Sequence, residues 1–403
     1  MKYVLVIGDG MSDEVRPDTP LRKARHPYMD FVASNGLCGL METVPEGLTP
    51  GSEAAIMNIL GYDPQRFKLS RGPLEAAGLG LRLGEGDIAL RCNLVTVKNG
   101  RLVDYSAGHI STEEAGELLQ ALEALKIEGL EIHVGVSYRH VAVLKGGYSE
   151  ALECYPPHDH VGESLEALKV KALKPEAEET ANLLNRVMEE SFHLLSKHPV
   201  NLKRERRGEN PGNMVWFWAP GRWPRLPSFM QTYGLDGAVI SAVNVVKGLA
   251  ALLNMGVVKV PGATGYFDTN YEGKAEAALK ALEAYDLVIV HVEAPDEAGH
   301  LGDFNLKVRA IEDLDGRLLG RLVEGLEALR DEFVLAVLPD HATPISVRTH
   351  TRDPVPFAIY TFPPRPGRVK PAERFDEVSA SRTGLRLKAS QFMSLFLGRL
   401  PKF

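Results

Sequence analysis

The sequence predicts an α/β fold, in which a core sheet carries helices on both faces and a smaller α/β domain is inserted into the chain. Three observations lead there. Short, mainly apolar runs (Tyr3–Ile7, 286–292 and 332–338) each pass directly into a segment rich in Asp and His. Stretches with apolar residues at three-to-four spacing lie between the last two, at 274–285 and 305–331, and that period is helical. Strands alternating with helices build sheets covered on both sides. The middle of the chain, from about Arg71 to Arg207, has a different grammar of helices, short strands and many turns.

The elements follow in order. Tyr3–Ile7 runs into the turn Gly8-Asp9-Gly10; an unbroken apolar strand of this kind is buried on both faces and offers its functional groups at its carboxyl end. Thr49–Ala55 (TPGSEAA) puts Ser52 after Pro-Gly and just before a helix expected over 53–60. A serine there reads as an ordinary N-cap or as a nucleophile facing an anion held by the helix N-terminus, and the two readings are compatible. The middle segment contains helices expected at 112–125 and 176–198 and strands at 90–97 and 140–144. Because the chemical residues lie before and after it, residues 66–224 are expected to be the inserted domain, with 1–65 and 225–403 forming the core. The Pro/Gly-rich stretch 210–227 is expected to be the return linker.

Composition narrows the function. With 403 residues, 44% hydrophobic and 25% charged, the chain can bury a large core. No apolar run approaches the roughly 18 residues of a spanning helix, and the N-terminal apolar run is too short for a signal peptide, so a cytoplasmic, non-membrane protein is expected. Cys38, Cys92 and Cys154 are odd in number and widely spaced, which fits free buried thiols rather than disulfides or a thiolate cage. A net charge of −7 with only one short basic run, Lys203–Arg207, disfavours nucleic acid and reads as a solvated face. A small anionic substrate in a locally positive pocket stays open, and self-association is permitted.

The chemistry concentrates in Asp9, Asp296, His300, Asp340, His341 and His350. Carboxylate with neutral imidazole suits Mn²⁺, Zn²⁺, Co²⁺ or Fe²⁺, and the carboxylates also accept Mg²⁺. Asp296 and His300 stand four apart, on one side of a helical turn. Every member sits at or just after a strand end, and six ligands exceed the needs of one catalytic ion, so a dinuclear site is expected. His193 and His198 read as surface or helix residues. His158 and His160, in PPHDH, are equally open to lining a pocket or not.

Taken together, IGDGM (7–11), TPGSE (49–53), NILGYDP (58–64), RGPLEA (71–76), RCNLV (91–95), VPGATGY (260–266), DTNY (268–271), VEAPDEAGH (292–300) and DPVP (353–356) resemble the archaeal-type 2,3-bisphosphoglycerate-independent phosphoglycerate mutase family. The matches extend over nearly the whole chain. The resemblance implies an alkaline-phosphatase-like core and two divalent ions, Mn²⁺ first, with Mg²⁺, Co²⁺ or Zn²⁺ as alternatives. It also implies a phosphoserine intermediate in the interconversion of 3- and 2-phosphoglycerate. Carried over residue by residue, one ion falls to Asp9, Ser52, Asp340 and His341, the other to Asp296, His300 and His350, with Ser52 as nucleophile. Lys247 stands where similar enzymes supply a cation to the phosphate. Arg139 is a candidate carboxylate clamp, and His109 and Asp159 are candidates for moving protons on the glycerate hydroxyls, with the inserted domain holding glycerate away from water. Three places depart from the pattern: Glu53 replaces Asp, THTR (349–352) replaces a more acidic stretch, and NPGN (210–213) replaces a Lys-containing one. Another metal-dependent phosphotransferase or phosphatase is the alternative.

Overall fold

The strand Lys2–Gly8 is paired on both sides, by Leu287–Val292 and Phe333–Leu338, and runs parallel to both. All residues of the two flanking strands are buried, as unbroken apolar strands between two helical layers must be. Fully burying a Val, Leu or Ile side chain is worth about 1.5–3 kcal/mol, so these three strands anchor the core. Their register decides where chemistry emerges. Gly8 pairs with Val292 and Ile7 with Leu338, so the chain following each strand leaves the sheet at one common edge.

The computed structural model describes residues 1–67, 69–329, 331–364 and 370–399. The sheet has eight strands, in the order Gly256–Val257, Gly237–Ile240, Leu287–Val292, Lys2–Gly8, Phe333–Leu338, Val355–Phe362, Leu37–Glu42 and Arg386–Lys388. It is mixed rather than wholly parallel. Val355–Phe362 follows the loop that begins at the end of Phe333–Leu338 and returns antiparallel beside it. The helix expected over 305–331 contains a change of pitch: Phe304–Asp313 and Gly320–Leu329 are α-helical, with a π-helical segment Leu314–Leu319 between them. There the buried Asp315 carboxylate accepts the N–H groups of Tyr28 (3.2 Å) and Met29 (2.7 Å). These are otherwise orphan donors in the first turn of the helix Pro27–Asn35.

The chain divides into two compact units, Met1–Lys68 with Leu226–Phe403, and Leu69–Arg225. In the second, Ile88–Lys98 pairs antiparallel with Arg101–Asp104, Arg139–Leu144 and Met214–Gly221, and Leu130–Val136 lies at an edge. Its core gathers Leu90, Cys92, Leu94, Trp216 and Phe217 with Leu184 and Val187 of the helix Glu178–Leu195. The basic run is not simply a solvated face. Arg204 is buried and pairs with Glu114, bonding also to the carbonyls of Ala107 (2.9 Å) and Asn210 (2.9 Å). Cys38 and Cys92 are buried free thiols, and Cys154 is half-buried. Among the described residues no helix is long and apolar enough to cross a membrane.

Candidate active site

Three connections at the common sheet edge bring the expected ligands together in the first unit. Asp9 follows the first strand, its N–H bonded to Val292 O (2.9 Å). Asp296 and His300 lie on the helix Ala294–Leu301, Asp340 and His341 follow Phe333–Leu338, and His350 lies in the loop before Val355. Two groups of potential ligands form among these six, each with one donor atom per residue and those atoms within 4.8 Å of one another: Asp296, His300 and His350, and Asp9, Asp296 and His341. His300 Nε2 and His350 Nε2 face each other at 3.0 Å, and His300 Nε2 lies 3.1 Å from Asp296 Oδ2.

Ser52 is not a cap. The N-cap of the helix Ser52–Ile59 is Gly51, and Ser52 is the first helical residue. Its Oγ donates to Asp9 Oδ2 at 3.3 Å and lies 3.2 Å from His341 Nε2, so the hydroxyl sits inside the ligand cluster and at the positive end of the helix. Gly10, at φ +53°, allows this crowding. A Cβ there would land on Asp296 Oδ1 and Thr343 Oγ1, and left-handed backbone favours glycine.

The residues fit divalent cations on two counts. Burial, then the neighbouring carboxylates Asp340, Glu293 and Asp296, hold Asp9 well above the usual carboxylate range; so many buried acids in one place call for positive charge. Asp9 Oδ1, Asp340 Oδ2, His291 Nε2 and Glu293 Oε2 are buried with no hydrogen-bond partner among the described residues, and buried polar atoms are rarely left so.

Groups that sequence reasoning did not single out hold this cluster in place. Thr343 Oγ1 donates to Asp296 Oδ1 (2.5 Å) and lies 3.2 Å from His341 Nδ1. An Nδ1–H donated to that hydroxyl leaves the Nε2 lone pair of His341 facing Asp9 and Ser52. The fully buried Lys307 donates to Ser12 O (3.0 Å) and Thr343 O (2.8 Å), tying the Asp9 loop to the Asp340 loop. A lysine on the apolar face of the helix Phe304–Asp313, beside Ala310 and Ile311, was the one sequence signal for it. Thr343→Val is expected to weaken binding of Mn²⁺ about 10- to 100-fold, the usual cost of losing such an orienting partner, with little change in melting temperature. Calorimetric titration of the metal-free protein with Mn²⁺ measures this.

The remaining candidates are placed as follows. Lys247 lies half-buried on the helix Asn244–Leu252 of the first unit. Arg139, His109 and Asp159 all belong to the second unit and are exposed. There Arg139 covers the Tyr138 ring at 5.1 Å, and His109 meets the same ring at 5.9 Å. Asp159 Oδ1 lies 3.8 Å from His158 Nε2, and the His158 ring packs at 5.5 Å against Trp218. Arg91, which sequence reasoning had left as part of a motif, stacks on Trp218 at 5.2 Å and pairs with Glu75 beneath it. His160 is held instead by Glu163 (2.9 Å) and packs on Tyr155. His198 Nδ1 accepts Val200 N–H as the N-cap of the helix Pro199–Arg206, and His193 packs on Phe192.

A sequence profile described as 2,3-bisphosphoglycerate-independent phosphoglycerate mutase matches residues 33–201. The enzyme of that name from Methanosarcina acetivorans is 47% identical over 404 residues, covering 98% of this chain and 100% of the relative. The chain belongs to the 2,3-bisphosphoglycerate-independent phosphoglycerate mutase family. A probable family enzyme from Geobacter sulfurreducens is 44% identical, covering 99% of this chain and 100% of its own. Among solved structures, the PH0037 protein of Pyrococcus horikoshii superposes with a TM-score of 0.82 at 29% identity, covering 100% and 98% of the two chains. The cofactor-independent phosphoglycerate mutase of Thermoplasma acidophilum superposes at 0.69 and 31% identity, covering 99% of each. The close family members are isomerases by name, and the candidate ligand groups here suit divalent metals.

Proposed function

We propose that this chain interconverts 3-phosphoglycerate and 2-phosphoglycerate without a bisphosphoglycerate cofactor, through a phosphoserine at Ser52 and with two divalent ions, Mn²⁺ foremost. What carries the reading is the position of the Ser52 hydroxyl, within 3.3 Å of both Asp9 and His341, in a chain 47% identical to an enzyme named for that reaction. The ions would be held by Asp9, Ser52, Asp340 and His341, and by Asp296, His300 and His350. Bound there, they would lower the hydroxyl pKa and neutralise charge on the transferring oxygens.

The protein's own groups then do the following. Ser52 Oγ, its proton passed to solvent water before substrate enters, attacks phosphorus in line; the Oγ–P bond forms as the bond from phosphorus to the glycerate oxygen breaks, and that oxygen keeps the electron pair. His109 and Asp159 give the freed alkoxide its proton and take one from the other hydroxyl. Arg139 holds the glycerate carboxylate through the exchange, and Lys247 supplies positive charge to the phosphoryl group. The second hydroxyl attacks phosphoserine and Ser52 Oγ departs, so the phosphate has moved by one carbon. Water must be kept out throughout, because water attacking phosphoserine would make the centre a phosphatase. The substrate is a small metabolite, and the cytoplasm is the compartment this reading assigns.

The test is Mn²⁺-loaded protein given 3-phosphoglycerate alone, with 2-phosphoglycerate and free phosphate measured together. Isomerisation with little phosphate release is expected. Phosphate release without 2-phosphoglycerate would instead make it a phosphomonoesterase.

A further inference from the structure

His291 belongs to neither ligand set proposed above, yet it forms a third group with Asp9 and Asp340, one donor atom from each within 4.8 Å of the others. It is a polar residue in an otherwise apolar strand, Leu287–Val292, with a fully buried side chain, as are those of Asp9 and Asp340. His291 Nε2 stands 3.0 Å from Asp9 Oδ2, but neither that nitrogen nor Asp340 Oδ2 nor Asp9 Oδ1 has a hydrogen-bond partner among the described residues. A ring nitrogen and a carboxylate oxygen brought so close without an aligned N–H repel each other unless positive charge is shared between them. Two adjacent ligands on one divalent ion, with bonds of about 2.1 Å, stand roughly 3 Å apart, which matches the spacing seen.

The other face of the ring is prepared for that role. His291 Nδ1 meets Ser241 Oγ at 3.3 Å, and the same hydroxyl oxygen accepts Val243 N–H at 3.0 Å. An Nδ1–H donated to Ser241 fixes the tautomer whose free lone pair is on Nε2. Lys274 Nζ donates to His291 O at 3.0 Å, so the backbone beneath the ring is pinned too.

We propose that His291 is a direct ligand, together with Asp9 and Asp340, of a divalent cation in this centre. Its neutral nitrogen favours Mn²⁺, Co²⁺ or Zn²⁺ over Mg²⁺. The inference rests on the metal-centre reading, and the experiment separates the two. The full-length protein is loaded with Co²⁺ and observed by proton NMR. A ring N–H of a histidine bound directly to Co²⁺ shifts far outside the ordinary spectral range, whereas a histidine that only hydrogen-bonds to a ligand does not show this contact shift. His291→Ala is expected to lose one such resonance, keep the others, and bind one Co²⁺ at least about tenfold more weakly. Identical shifted resonances in wild type and variant would overturn the assignment of His291 alone. A wild-type spectrum with no shifted resonance would overturn the metal centre and His291 with it. Should the alanine variant not fold, His291→Gln retains a polar side chain, and the same resonance must vanish from it.

Discussion

Ser52→Ala should abolish isomerisation, with kcat reduced by at least about 10⁴-fold, the scale seen when a nucleophile is removed from a centre otherwise intact. The Ser52 hydroxyl is bonded to Asp9 and faces His341, and an alanine at the first position of the helix Ser52–Ile59 can accept no phosphoryl group. The helix itself should survive, because its N-cap is Gly51 and alanine is the best helix former. Circular dichroism and the melting temperature should therefore stay close to wild type while turnover disappears. A variant that keeps a tenth of the wild-type rate would rule out the phosphoserine route. Incubating wild type with labelled phosphoglycerate and quenching in acid should trap label on the protein, and the variant should trap none.

Chelation should have the second large effect. Removing the ions withdraws several kcal/mol of charge stabilisation from the transferring phosphoryl group, which corresponds to a rate loss on the order of 10³-fold or more. Mn²⁺ should restore the rate. Stability moves as well: a ligand present at a hundred times its dissociation constant stabilises the folded state by about 2.7 kcal/mol, so each ion lost from a chain of this length should lower the melting temperature by about 3 °C. The metal-free protein should also respond to pH. Burial pushes the Glu293 carboxyl up from its ordinary 4.5 to about 8, and a carboxyl raised on folding costs stability as pH rises through that interval. The sign is fixed: below about 4.5 both states hold the proton, and above about 8 the folded state must bury the charge. Melting curves of chelated protein between pH 6 and 9 should thus fall with pH more steeply than those of the Mn²⁺-loaded form. Equal slopes would mean that the acidic cluster is not what the cations balance.

Much of the core could be read from the chain alone. The runs at 3–7, 286–292 and 332–338 are mainly apolar and do not alternate, and a strand covered on both faces is what tolerates that. The polar residues that end each run therefore had to appear at strand ends. The helix at 305–331 was legible from its period, but the π-helical segment within it, whose Asp315 meets the N–H groups of Tyr28 and Met29 from far away in sequence, was not. The basic run at 203–207 misled for a similar reason. Charge on a helix is usually solvated, and nothing local says that Glu114, 90 residues earlier, will draw Arg204 inward.

By itself, then, the sequence determined the residue types available for chemistry, their places at strand ends, and the family pattern that joins them. Those are local properties, set by burial and by the backbone's few allowed conformations. Only the tertiary structure decided what each group meets. Ser52 stands 289 residues from the His341 it faces, Thr343 reaches back 47 residues to Asp296, and Lys307 joins two loops from opposite ends of the chain. His291 was passed over as one more position in an apolar strand. Hydrogen bonds and metal–ligand contacts act over about 3 Å, and sequence separation carries no information about distances that short until the sheet register has brought the strand ends together.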